Sequence, residues 1–213
     1  MKSVSDRRRS NVPHSTRPQV HGVCHVVLRV RRGLPWLRTT KTYRVLEGAF
    51  RAGKEKEGFA LVQYSVQQDH LHLLIEAESK RKLARGMQGL MIRIAKRLNR
   101  TWRRRVGSVF ADRYFARAVE GAHAIKRALA YVLNNARKHG AWSSPIAPDP
   151  FSSGRWHTGW FGARDICRPF RAPPVARARD LYLTMPSFRN LAVDLVPGQR
   201  ARSTESLDAL LLG

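Results

Sequence analysis

The sequence predicts an α+β fold, in which helices flank a central antiparallel sheet and a basic, proline-rich extension follows. Three observations predict it. Apolar periodicity changes along the chain in the order strand, helix, two strands, helix, strand, helix. The two middle strands, Phe59–Val66 and His70–Ala77, are separated only by Gln67–Asp69, which makes them a hairpin and so an antiparallel pair. Two long segments, Arg81–Arg104 and Ala122–Lys138, each carry an apolar stripe that a sheet face can cover.

Residues 1–20 are polar and basic, contain Pro13 and Pro18, and are expected to form a flexible arm. Val23–Val30 is dense in β-branched residues and reads as a strand that Gly33–Pro35 ends. Thr40–Gly53 has Tyr43, Leu46 and Phe50 at helical spacing, with Gly53 closing it. In Arg81–Arg104 the stripe is Leu83, Met87, Leu90, Met91, Ile94 and Leu98, and Gly107 is the expected break. Val109–Val119 reads as a strand with Arg113 and Arg117 interleaved. Ala122–Lys138 places Ile125, Leu129, Val132 and Ala136 on one face and stops at Gly140. Past Trp142 prolines recur, so we expect a domain over residues 21–141 and a basic extension over 142–213, with a short helix near Ala176–Leu183.

Charge narrows the function. With 40 Lys and Arg against 15 Asp and Glu, the formal net charge of the 213 residues is +25. That imbalance favours a polyanionic partner. No apolar run is long enough to span a membrane, and none follows the early arginines as a secretory signal would. Cys24 and Cys167 form no CxxC pair. A reduced, cytoplasmic setting without membrane association is expected.

Two patterns carry chemistry. In His70-Leu71-His72 the strand alternation sends both imidazoles to one face, where neutral rings can share one metal ion, while Leu71 points to the core. A pair is an incomplete ligand set. Tyr131 and Asn135, four apart on a helix, share a face off the main apolar stripe. An amide oxygen at Asn135 suits a hard ion such as Mg²⁺ or Mn²⁺. Each pattern also has an ordinary reading: polar residues opening a strand, and a tyrosine at a core edge with a helix-ending asparagine.

Between these patterns runs the Arg81–Arg105 segment, which lacks any acidic residue. Arg93, Arg97, Arg100 and Arg104 on it, with Arg113 and Arg117 beyond, are candidates for contact with the phosphates of a nucleic acid. Trp102 and Trp142 are candidates for base stacking or for the core.

Taken in order, these residues resemble the single-tyrosine HUH transposases of the IS200/IS605 type, and most closely the REP-associated tyrosine transposases. His70-Leu71-His72 is similar to that family's His-hydrophobic-His strand. Phe110-Ala-Asp-Arg113-Tyr114 resembles its strand ending in Arg-Tyr, and Tyr131 through Asn135 to Gly140 its tyrosine helix. Gln68-Asp69 stands where the family has Pro-Asn or Pro-Glu, and Ala136 where it has proline. The resemblance implies a ferredoxin-like, HUH-type sheet. It also implies a single-stranded DNA partner with hairpin or repeat ends, in a monomer or a homodimer. Tyr131 would be the nucleophile and His70, His72 and Asn135 the ligands of Mg²⁺ or Mn²⁺. Tyr114 competes for the nucleophile role, and is expected on the sheet away from the metal. A non-catalytic nucleic-acid-binding protein, whether a degenerate transposase or an RNA-binding module, would share the charge and lack the cleavage and rejoining of single-stranded DNA through a 5′-phosphotyrosine that the resemblance implies.

Overall fold

Strand β1 (Gly22–Arg29) is the first element of a computed structural model that describes residues 21–105, 107–144, 147–157, 160–161, 172–176 and 193–194. The arm expected over 1–20 and residues 177–183 of the expected short helix lie outside these. After β1 come α1 (Thr40–Gly53), β2 (Glu55–Lys56), β3 (Phe59–Val66) and β4 (His70–Ala77). Then follow α2 (Lys80–Thr101), β5 (Phe115–Ala118) and α3 (Ala122–Lys138), a 3-10 turn at Ser153–Trp156, and the short strands β6 (Trp160–Phe161) and β7 (Val193–Asp194). The main sheet has the order β2-β3-β4-β1-β5, with every pairing antiparallel. β6 and β7 pair separately and in parallel.

The two faces of this sheet are covered differently. Cys24, Val26 and Leu28 of β1 and Leu71, Leu73 and Ile75 of β4 share one apolar cluster with Leu46 and Phe50 of α1 and Met87, Leu90 and Ile94 of α2. The alternate residues point the other way. Val23 and Leu74 cluster there with Ile125, Ala128, Leu129 and Leu133 of α3 and with Trp160. β4 therefore divides its side chains cleanly: Leu71, Leu73 and Ile75 anchor it beneath α1 and α2, and His70, His72 and Leu74 lie on the α3 face.

Caps explain where the helices start and stop. Thr39 and Ser79 begin α1 and α2 by accepting from the amides of Thr42 and Lys82, each at 3.2 Å. α3 ends as its glycine suggested: Gly140 takes φ 67°, its amide reaches the Arg137 carbonyl, and that of Ala141 reaches Ala136. α2 ends earlier than Gly107 suggested. Arg103 takes the left-handed conformation at φ 55°, and the Arg104 amide bonds back to the Asn99 carbonyl at 2.8 Å. The geometry is that of a glycine cap, made here by a residue with a Cβ.

The strand expected over Val109–Val119 is also shorter than its pattern. β5 pairs Phe115 with Val27, whereas an isolated bridge pairs Phe110 with Val30. Three residue steps on β1 thus face five on the partner, so two extra residues bulge out of the ladder around Asp112–Tyr114.

The chain after α3 returns to the sheet. The amide of Val66 donates to the Phe151 carbonyl at 2.9 Å, that of Tyr64 to Ser153 Oγ at 2.9 Å, and that of Ala176 to the Leu61 carbonyl at 2.8 Å. Arg38 holds the turn with a bidentate grip on buried Asp149, at 2.8 and 3.1 Å, while donating to the carbonyls of Val66 and Ala141. This first part of the basic extension is therefore packed against the strands.

Candidate active site

The β1–β4 register sets Val27 beside His72 and Leu74 beside His25. His25 and His72 are therefore diagonal neighbours on the α3 face. Their rings stack with centroids 5.1 Å apart and planes 13° from parallel, and His25 Nε2 lies 3.0 Å from His72 Nδ1. His70 joins from the other side: its Nε2 is 3.1 Å from His72 Nε2, and its Nδ1 is 2.7 Å from Asp69 Oδ1. The result is a row of four groups, His25, His72, His70 and Asp69, running from the buried interior to the surface.

Tyr131 meets this row from α3. Its ring stands edge-on to His72 and His25, with centroid distances of 5.4 and 5.6 Å. The Lys138 ammonium lies 5.5 Å from the tyrosine ring centre. Asn135, one turn further on, is fully buried, and neither its Oδ1 nor its Nδ2 has a hydrogen-bond partner among the described residues. The buried face of α3 is thus wider than its apolar stripe indicated and takes in this amide.

Burial decides the charge of the inner histidines. Desolvation, with a smaller push from Arg117, lowers the pKa of His25 to about 4. Desolvation, then the neighbouring His25 and His70, lowers that of His72 to about 2. Both rings are neutral near pH 7, so each carries one N–H and one bare nitrogen. Asp69 is held below its usual carboxyl range, first by its hydrogen bond to His70.

These residues fit a divalent ion. Two nitrogens each about 2.1 Å from one ion and at right angles stand about 3 Å apart, and the two Nε2 atoms are separated by 3.1 Å. Among the described residues no group of three His, Cys, Asp or Glu side chains could hold an ion. A third protein donor would be of another type, and the amide of Asn135, without a hydrogen-bond partner among the described residues, is of suitable chemistry. Asp69 fixes His70 as outer partners of metal-bound histidines commonly do.

Not every candidate converges. Tyr114 packs beneath the sheet with the α1–α2 cluster, on the face opposite His72. α2 lies on that same far face. Arg93 and Arg97 extend along α1, where a Cβ on Gly53 or Gly48 would approach them within 3.2 and 2.8 Å. Arg104 is engaged with Asn99 Oδ1 at 2.9 Å, and Arg100 is exposed on the same helix. Arg117 alone of the six arginines pairs across from His25 and shares its face, while Arg113 is exposed in the bulge. Trp102 packs against the core, and the Trp142 indole donates to the Ala147 carbonyl at 2.9 Å. Among the described residues the exposed large aromatics are instead Trp36 and Phe115.

Sequence reading missed His25 and Asp69. One histidine in a valine-rich strand has no local signature, because its partner is chosen by strand register. Asp69 had one, adjacency to His70, but drew notice only as a departure from a motif.

The site of this α+β protein is a row of histidines on the sheet meeting a tyrosine on the helix that covers it. The family model described as IS200-like transposase matches residues 19–135. That is more than half of the 213 residues, and the chain belongs to that family. It is similar in structure to a REP-associated tyrosine transposase solved with a REP hairpin, at 19% identity and a TM-score of 0.49, covering 64% of this chain and 79% of that one. It is also similar to a candidate transposase from Deinococcus radiodurans R1, at 14% identity and a TM-score of 0.40, covering 62% and 98%. No curated protein matches. No helix among the described residues is long and apolar enough to cross a membrane.

Proposed function

We propose that this transposase-family chain cleaves and rejoins single-stranded DNA by transesterification, with Tyr131 as the nucleophile. The observation that carries the reading is the packing of Tyr131 against His72 within one chain. A phenol of pKa about 10 is a weak nucleophile alone, so its surroundings must favour the attack. The Tyr131 oxygen bonds to phosphorus, the bond from phosphorus to the 3′ oxygen breaks, and the phenolic proton leaves while the departing 3′ oxygen gains one. The products are a 5′-phosphotyrosine link and a free 3′-OH. Because one phosphoester replaces another, attack by a different 3′-OH reverses the step and joins strands without ATP.

His70 and His72 through Nε2, with the Asn135 amide, would hold Mg²⁺ or Mn²⁺. When bound, the ion supplies polarisation of a non-bridging phosphate oxygen. His25 and Asp69 orient the two ligating rings. Arg117 and Lys138 add positive charge on the same side and favour a phosphate there. Hairpin or repeat ends are the expected DNA, and the remaining arginines are expected to contact its backbone.

The test is a covalent adduct on single-stranded oligonucleotides in Mn²⁺. Tyr131→Phe is expected to abolish the adduct, a drop of at least about a thousandfold, while Tyr114→Phe retains it. The opposite pattern overturns the nucleophile. Salt-sensitive DNA binding with no adduct from the unmodified chain would identify a non-catalytic binding protein instead.

A further inference from the structure

We propose that His25 is a positioning residue that sets the tautomer of His72, donating from its Nε2 when the pair is metal-free and accepting there when the pair is ready for an ion. The inference rests on the reading that His70 and His72 hold that ion, and it concerns which nitrogen carries each hydrogen.

The row has a fixed end. Asp69 Oδ1 can only accept, so at 2.7 Å it draws a hydrogen onto His70 Nδ1. In the uncharged ring this leaves His70 Nε2 bare. That nitrogen is 3.1 Å from His72 Nε2, and without an ion a hydrogen bond there requires the hydrogen on His72 Nε2. His72 Nδ1 is then bare and accepts from His25 Nε2 at 3.0 Å. Donation runs in one direction, from His25 to His72 to His70 to Asp69, and all three contacts are satisfied.

This resting arrangement cannot take an ion, because His72 Nε2 has no lone pair to offer. Ligation by both rings needs both Nε2 atoms bare. The His72 hydrogen must then sit on Nδ1, where its neighbour is His25 Nε2. His25 must in turn accept, with its own hydrogen on Nδ1. Two hydrogens change position on two rings and none is gained or lost. Since His25 and His72 are both buried, a His72 Nδ1–H facing an apolar side chain would have no partner. His25 is the group that makes the ligand-ready tautomer accessible. With nitrogens 3.0 Å apart, centroids 5.1 Å apart and planes 13° from parallel, the two rings meet edge to edge, so either nitrogen can donate.

The test uses the full chain and imidazole ¹H–¹⁵N correlation spectra, with and without Mg²⁺. Metal-free protein is expected to carry the His72 hydrogen on Nε2. Saturating Mg²⁺ is expected to move it to Nδ1, and to move the hydrogen of His25 to Nδ1 as well. In His25→Leu, His72 stays in the Nε2–H form, and Mn²⁺ affinity measured by electron paramagnetic resonance falls about tenfold to a hundredfold. His25→Gln, whose amide can turn to donate or accept, is expected to remain within about threefold of the unmodified chain. Undiminished Mn²⁺ affinity in His25→Leu overturns the proposal. So does an unmodified chain in which His25 keeps its Nε2 hydrogen with Mg²⁺ bound, a result that needs no variant to fold. An unmodified chain whose His70 and His72 signals respond to neither ion overturns the metal reading itself.

Discussion

The two faces of one sheet are built to different rules. Beneath α1 and α2 the strands present Cys24, Val26, Leu28, Leu71, Leu73 and Ile75, and the notable polar contact is the hydroxyl pair of Tyr43 and Tyr64 at 2.9 Å. Beneath α3 the same strands bury His25, His72 and Glu76, with Ser65 paired across from His72, and α3 itself buries Asn135. One face is stabilised by apolar burial, at about 25 cal/mol per Å². The other gives up apolar area to polar groups, one of which, Asn135, has no partner among the described residues. A strand can serve both because successive side chains alternate. What differs is the helix laid on top, and what that helix leaves unpaired.

This contrast can be broken from either side. The largest stability effect is expected on the apolar face: Phe50→Ala, at a fully buried position, should cost about 3–5 kcal/mol, read by urea unfolding. A value below 1 kcal/mol would mean that this face is loosely packed. Next comes acid. His25 has a folded pKa of about 4 against an ordinary 6.5, so it binds protons more readily unfolded. Its contribution is complete above about pH 6.5 and is lost as pH falls toward 4, a change of about 3 kcal/mol. His72 acts in the same direction. His25→Gln should flatten that part of the stability profile, and an unchanged slope would assign the loss to other groups.

Smaller and opposite in sign is Asn135→Leu. Removing two unpartnered buried atoms should raise stability by about 1–2 kcal/mol while Mn²⁺ affinity falls. A loss of stability would show that the amide has a partner in solution. The smallest effect is expected away from both faces, at the left-handed Arg103. Arg103→Gly should add about 1 kcal/mol, measured as a rise in Tm.

Local pattern carried much of this molecule. Thr40–Gly53, the hairpin strands and Ala122–Lys138 have the bounds that their periodicity indicates. The common face of His70 and His72 follows from strand alternation alone. What stayed hidden depends on long-range placement. The bulge that divides Val109–Val119 exists because β1 offers fewer residues than its partner. The α2 arginines look like neighbours of the histidines in a linear reading, but the helix lies on the other side of the sheet. His25 acquires meaning only from a register set 47 residues away.

The segment that returns over β3 has a consequence for growth. An open sheet is a template, and its unpaired rim invites another strand of the same kind. β2 pairs only with the first residues of β3, which leaves the rest of that rim open to such addition. Phe151, Ser153 and Ala176 occupy it by bonding to Val66, Tyr64 and Leu61, with one isolated bridge between Ser65 and Ser152. Irregular chain of this sort ends a lattice without extending it: it satisfies the rim, and among the described residues no further strand of the main sheet pairs beyond it. The sheet thus carries its own terminator on that side.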